Sequence, residues 1–325
     1  MFKDWPAVSS IANPVSVDTN SKLETRNSKP DHPAQLSMLS IAIALSLSAA
    51  VMHALWNGLL KPSGDPLALA STAAVASAAI WTPVALAAWA LSGFPRIAPG
   101  AWALAISSAG LEMGYLIALS WAYTRGQLSS VYPIARGTGP LVAVFAGIVI
   151  LGEHLTTPAL IGVGLLLAGI WTVRQPQGKI TDMLPALLTG LLIGAYSAID
   201  SVGVHLTEPW LYGWLVWTMT ACLVAGYRAL QTKRIPEASV ALADPTGRKT
   251  GVAGATLIGM LMTTTYLLIL IAFRLAPLAL VAPLRESSVV LAALWGIWKL
   301  GERERVWLRL AGAAAVAAGA ALISV

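Results

Sequence analysis

Cysteine occurs once in this chain, at Cys222, which excludes an internal disulfide framework and a cysteine-rich metal site. Charge is scarce too. Only 11% of the 325 residues are Asp, Glu, Lys or Arg, against about 25% in an ordinary soluble domain. That is too little to coat a globular surface. There is no GxxxxGK[ST] phosphate loop, which argues against direct ATP drive, and no HExxH or suggestive Ser/His/Asp spacing. The longest connection, residues 231–250, leaves no room for a soluble catalytic domain.

What the chain has in quantity is apolar surface: 57% of residues are hydrophobic and the mean hydropathy is +0.71. Its solvent must be largely lipid. The net charge of +6 is carried by basic residues set singly or in short clusters between apolar segments. That is the pattern of membrane orientation rather than of a nucleic-acid partner. No cofactor is expected.

Residues 1–36 are polar, rich in Ser, Pro and Asn, and lack the apolar core of a signal peptide, so they read as a disordered tail. Met38 stands directly before the first apolar segment, so the tail also reads as an extension from an upstream start codon. After it, apolar stretches recur about every 29 residues, each near the ~20 residues that cross the hydrocarbon layer as a helix. Ten spans are expected, over about 37–60, 67–92, 99–123, 128–151, 156–174, 182–204, 208–230, 251–274, 278–299 and 306–325. They lack barrel alternation, so the fold class is an all-α polytopic membrane protein.

The stretch YTRGQLSSVYPIARGTGPLVAVFAGIVILGE, residues 123–153, has an echo about 150 positions on, FRLAPLALVAPLRESSVVLAALWGIWKLGE. Pro283 then falls on Pro133, Glu286 on Arg136 and Met262 on Glu112; with a one-residue slip, Gly301-Glu302 falls on Gly152-Glu153. At an offset near 143, HALWNGLLKPSGDP lies over YSAIDSVGVHLTEP, so that Asn57 meets Asp200 and Asp65 meets Glu208. Such repetition dictates architecture. Two five-helix copies, 37–176 and 181–325, follow. An odd number of crossings per copy inverts the second, the arrangement many secondary transporters use around a midplane site.

These features resemble the EamA-type members of the drug/metabolite transporter superfamily: HALWNGLLKPSGD in the first span, AYTRGQLSSVYPIARGTGP before the fourth, and a terminal GE closing spans four and nine. The resemblance covers about residues 37–325. It implies a ten-helix basket in a bacterial-type inner (plasma) membrane, moving small metabolites or drugs, often outward, by alternating access through a central cavity. It also implies cytoplasmic termini. Charge disagrees, because Lys61, Arg125, Arg174, Lys179, Arg228, Lys233, Arg234, Arg248 and Lys249, among others, lie towards the side opposite the N-terminus.

A charge inside a span is costly and usually faces a cavity or a partner. Glu112, between Gly110 and Gly114, is the clearest case. It reads as a proton-coupling or substrate-amine carboxylate, or as the structural partner of Arg136. Counting from Gly126, Glu112 is about 21 Å deep and Arg136 about 15 Å, at ~1.5 Å per residue, so the pair is geometrically feasible. Arg136 follows Pro133 and reads equally as a fork for a substrate carboxylate or phosphate. Tyr132 beside it reads as cavity lining or as packing.

Arg285 and Glu286 follow Pro283 near the centre of span nine, about 100° apart on a helix, so at least one is expected to meet another helix. Asp200 reads as a coupling carboxylate or as a group reaching the interface. His53, Trp56 and Asn57 share a helix face at i, i+3 and i+4; Tyr196 and Tyr266 complete the substrate- or proton-binding candidates. Thr263, Thr264 and Thr265 offer hydroxyls. Trp102, Trp121, Trp171, Trp210, Trp298 and Trp307 read as interfacial anchors. Gly162, Gly164 and Gly169, with Gly312 and Gly319, form small-residue faces suited to tight packing or to a homodimer contact. A small-molecule substrate and the bilayer are the expected partners. The competing readings are a membrane-embedded enzyme or flippase acting on a lipid or isoprenoid carrier, and a scaffold or sensor without flux.

Overall fold

The computed structural model describes residues 32–60, 65–125, 128–174, 180–234, 251–288 and 306–323. They form an all-α polytopic membrane protein. Its helices are α1 (His32–Leu60), α2 (Pro66–Leu91), α3 (Pro99–Arg125), α4 (Leu128–Phe145), α5 (Thr157–Arg174), α6 (Ile180–Leu206), α7 (Pro209–Arg234), α8 (Val252–Leu275), α9 (Leu278–Arg285) and α10 (Val306–Ile323). A π-helical turn, Ala146–Ile150, extends α4. Six described helices (α1, α2, α3, α6, α8 and α10) are individually long and apolar enough to cross a membrane. Their outer faces carry exposed Val75, Ile106, Leu191, Leu257 and Trp307, as a lipid solvent requires.

Two expectations need correction. Helix α1 starts at His32, inside the stretch read as tail, because the polar residues before Met38 continue the helix outward. Span nine is not one uninterrupted helix: α9 ends at Arg285, Glu286 caps it and Ser287 lies in a turn. Pro283 supplies no amide hydrogen to the helix ladder just before that break. The remainder of span nine, with Gly301-Glu302 and Trp298, lies outside the described residues, as do residues 1–31 and the 235–250 connection.

The helices pair symmetrically. Helix α3 packs on α6 as α8 packs on α1, α4 on α6 as α9 on α1, and α2 on α8 as α7 on α3. Helices α2 with α7, α4 with α9, and α5 with α10 pair across the relation. At the α5–α10 contact a Cβ placed on Gly162 would stand 2.7 Å from the Gly319 carbonyl oxygen, and one on Gly169 2.6 Å from that of Gly312. The small-residue faces thus meet one another inside the chain, letting two backbones approach. Gly164 has nothing within 4 Å.

The first GE pair also has a structural reason. Gly152 adopts φ +68°, where L side chains are strained, and this turns the chain after the π-helical segment. Glu153 then points back to α9, where Oε1 accepts from the Leu278 amide (2.6 Å) and Oε2 from that of Ala279 (2.9 Å). A carboxylate there satisfies amides that the helix leaves open. Burial outweighs those bonds and lifts the Glu153 carboxyl above its ordinary range. Elsewhere, Asp65 caps α2 by accepting from the Ala68 amide (2.9 Å) and binds Arg228 of α7 (2.9 Å).

Candidate functional site

Six helices contribute to one small cavity. Glu112, midway along α3, lines it with His53 and Trp56 of α1, Tyr196 of α6, Thr220 and Trp217 of α7, Tyr266 of α8 and Arg285 of α9. Its volume is about 70 Å³, small beside the ~300–1,000 Å³ of drug-sized pockets. A molecule of a few heavy atoms suits it.

The Glu112 side chain is 6% exposed, and its Oε2 accepts from the Thr220 hydroxyl at 2.9 Å. The surrounding wall is largely aromatic. His53 meets Trp56 edge-on with ring centroids 4.6 Å apart, Tyr115 meets Tyr196 at 6.1 Å, and Trp217 meets Tyr266 at 6.2 Å. Aromatic faces around a carboxylate attract cations, through the ring quadrupoles and through the charge itself.

Asp200 is wholly buried and does not line this cavity. Its Oδ1 accepts from Ser108 (2.5 Å) and Tyr212 (3.1 Å), and its Oδ2 from Tyr266 (2.8 Å). It does not reach the interface, because α3, α7 and α8 close over it. Its contact with the cavity runs through Tyr266, whose ring it fixes.

Arg285 lines the cavity at 6% exposure. Its Nη1 donates to the Ser197 hydroxyl over a long 3.5 Å. Its Nε lies 3.6 Å from Glu286 Oε1 and makes no hydrogen bond. Glu286 is 1% exposed and outside the cavity wall. The side chains of Asn57, Tyr132 and Arg136 lie outside the described residues, and with them the proposed Glu112–Arg136 pair.

Four pairs of repeat-equivalent positions line this one cavity: His53 with Tyr196 at an offset of 143, and Glu112 with Met262, Tyr115 with Thr265 and Leu116 with Tyr266 at 150. The lining is chemically asymmetric, as the unlike pairs require. Tyr115, Trp217 and Thr220 escaped the sequence reading. Tyr115 carries a signal, standing at i+3 from Glu112; Trp217 and Thr220 share that spacing, but on a helix with no buried charge to draw attention.

A second cavity of about 160 Å³ lies among α2, α7 and α8, walled by Trp81, Val84, Trp210, Trp214 and Leu267, with Trp217 and Tyr266 shared with the first. Trp210, read as an anchor, lines this cavity, while Trp102, Trp121 and Trp307 are exposed. Thr263 faces it and donates to Ser77 (3.0 Å), which also accepts from Trp217 Nε1 (2.9 Å). Among the described residues no three His, Cys, Asp or Glu side chains are grouped to hold a metal ion.

No protein-family model matches the chain. The guanidinium exporters of Citrobacter freundii, Salmonella typhimurium and Klebsiella oxytoca are each 32% identical to it over 78 residues, which span 24% of this chain and 70% of theirs. The chain belongs to the transporter family of these exporters. A crystal structure of an 18% identical protein superposes with a TM-score of 0.66, covering 89% of this chain and 98% of the other, and supports the fold alone. Kinship with named transporters sets aside the membrane-enzyme reading. The buried carboxyl and its aromatic wall thus belong to a membrane transporter.

Proposed function

We propose that this chain is an EamA-type secondary transporter of the drug/metabolite superfamily that exports a small organic cation of the guanidinium class. The observation that carries the reading is Glu112, a buried carboxyl in an aromatic-walled cavity of about 70 Å³. A carboxylate accepts two parallel N–H bonds from a planar guanidinium, and the surrounding rings favour the charge. The name carried by the three exporters points to the same ligand.

In this reading residues 37–176 and 181–325 are inverted five-helix repeats. Support comes from the symmetric helix pairing and from the equivalent positions sharing one cavity. The repeats rock about the cavity to expose Glu112 to each face in turn, and a proton taken by Glu112 in place of the cation couples export to the proton gradient. The membrane is the bacterial inner membrane, with both termini cytoplasmic.

Counterflow in proteoliposomes tests the function. Vesicles loaded with unlabelled guanidinium should accumulate external labelled guanidinium above equilibrium, and an outward proton gradient, from an acidic lumen, should drive uptake against its concentration. Failure of guanidinium, methylguanidine and small amines alike to exchange would refute the reading.

A further inference from the structure

The cavity contains a guanidinium of its own. Among the described residues Arg285 is its permanent cation, and His53 its titratable base. Five N–H donors are available on a guanidinium. The contacts found are a 3.5 Å bond to Ser197 and a 3.6 Å ion pair with Glu286, leaving Nε without a hydrogen bond in a side chain 6% exposed. A buried charge with so few bonds is costly where it serves structure alone.

The surroundings supply another reason for it. Glu112 and Asp200 both lie within electrostatic reach of Arg285, and Glu286 adjoins it. Three carboxyl groups therefore lie around Arg285, the one permanent cation lining the cavity among the described residues. Without Arg285 the cluster would draw in cations of higher charge; with it, less negative charge is left for a ligand. Arg285 is the last residue of α9, and its side chain lines the cavity wall.

We propose that Arg285 is the charge selector of the site, a tethered counter-ion that confines the cavity to monovalent cations and excludes dications of similar size. This rests on the cation reading of Glu112. Arg285 touches no reacting atom. It sets which ligand charge the cluster accepts, and it does so by its charge, so lysine should replace it and a neutral isostere should not.

The test is equilibrium binding by the full-length protein in detergent at pH 7, with guanidinium and with 1,3-diaminopropane, a compact dication. The wild type should bind guanidinium at least ten-fold more tightly than the diamine. Arg285→Met should narrow or invert that ratio by ten-fold or more, and Arg285→Lys should keep it. A wild type that binds the two equally overturns the selector while leaving the cation site intact, and needs no variant to fold. A folded Arg285→Met with the wild-type ratio overturns it as well. A wild type that binds neither cation sinks the cation site and the selector together.

Discussion

Thr220 and Glu112 are joined by a 2.9 Å hydrogen bond between α7 and α3, 108 positions apart in the chain. The hydroxyl holds one oxygen of a carboxyl that lipid would otherwise leave unsolvated. Replacing Thr220 with Val keeps the shape and removes the donor. The cost to stability should be about 1–3 kcal/mol, the usual range for a buried polar group losing its partner. Guanidinium affinity should change as well, whereas Thr218→Val, outside the cavity wall, should leave it unchanged. Titration of both variants checks the pair.

Close helix contact should be equally specific. Gly169→Leu forces a side chain against the Gly312 carbonyl and Val316, and should lower thermal stability or abolish folded yield. Overpacking of this kind costs about 1–3 kcal/mol or more. Gly164→Ala, where nothing lies within 4 Å, should be near neutral. Equal damage at both positions would contradict the α5–α10 packing.

At the membrane face, Asp65 both caps α2 and pairs with Arg228. Asp65→Asn keeps an acceptor for the cap and loses the ion pair, while Asp65→Ala loses both. Alanine should cost about 0.5–2 kcal/mol and asparagine less, because the pair is partly exposed, at 26% and 17%, and screened by solvent. Thermal midpoints at low and high salt separate the two contributions, since only the ion pair fades with salt.

Glu153 carries a pH signature. Burial raises its carboxyl above the ordinary glutamate value of 4.5, so just above that pH the folded chain keeps a proton that the unfolded chain releases. Stability from this group is therefore greatest at or below the ordinary value and declines as pH rises through the raised one. Glu153→Gln retains an amide oxygen for α9 and should flatten that part of the pH–stability curve. A variant with the wild-type slope would show that the slope comes from another group.

Much of the fold was legible before any coordinates. Scarce charge and apolar stretches spaced about 29 residues apart gave the described helices other than α1 and α9 nearly to their ends, because lipid leaves a backbone few alternatives. Glu112, Arg285 and His53 stood out as polar groups in apolar runs, and the structure puts all three on one cavity. Thr220 and Trp217 did not stand out, since a hydroxyl or an indole is cheap in a membrane helix and reveals its role only against a partner on another helix. Asp200 read as a coupling carboxylate or as a group reaching the interface. Its three hydroxyl partners come from α3, α7 and α8, so its enclosure is a tertiary property that local spacing does not encode. The end of α9 was hinted at by Pro283, but proline is often tolerated within membrane helices.

The measurement that tests the account most directly is guanidinium binding by the purified wild type and by Glu112→Gln, read as a shift in thermal midpoint across a concentration series. A ligand that binds only the folded protein raises its stability by about 2.7 kcal/mol at ~100 times the dissociation constant. The wild type should show a saturable rise, and Glu112→Gln, folded and close to wild type without ligand, should show none. A variant that responds to guanidinium as the wild type does would place the cation elsewhere and leave Glu112 a structural residue.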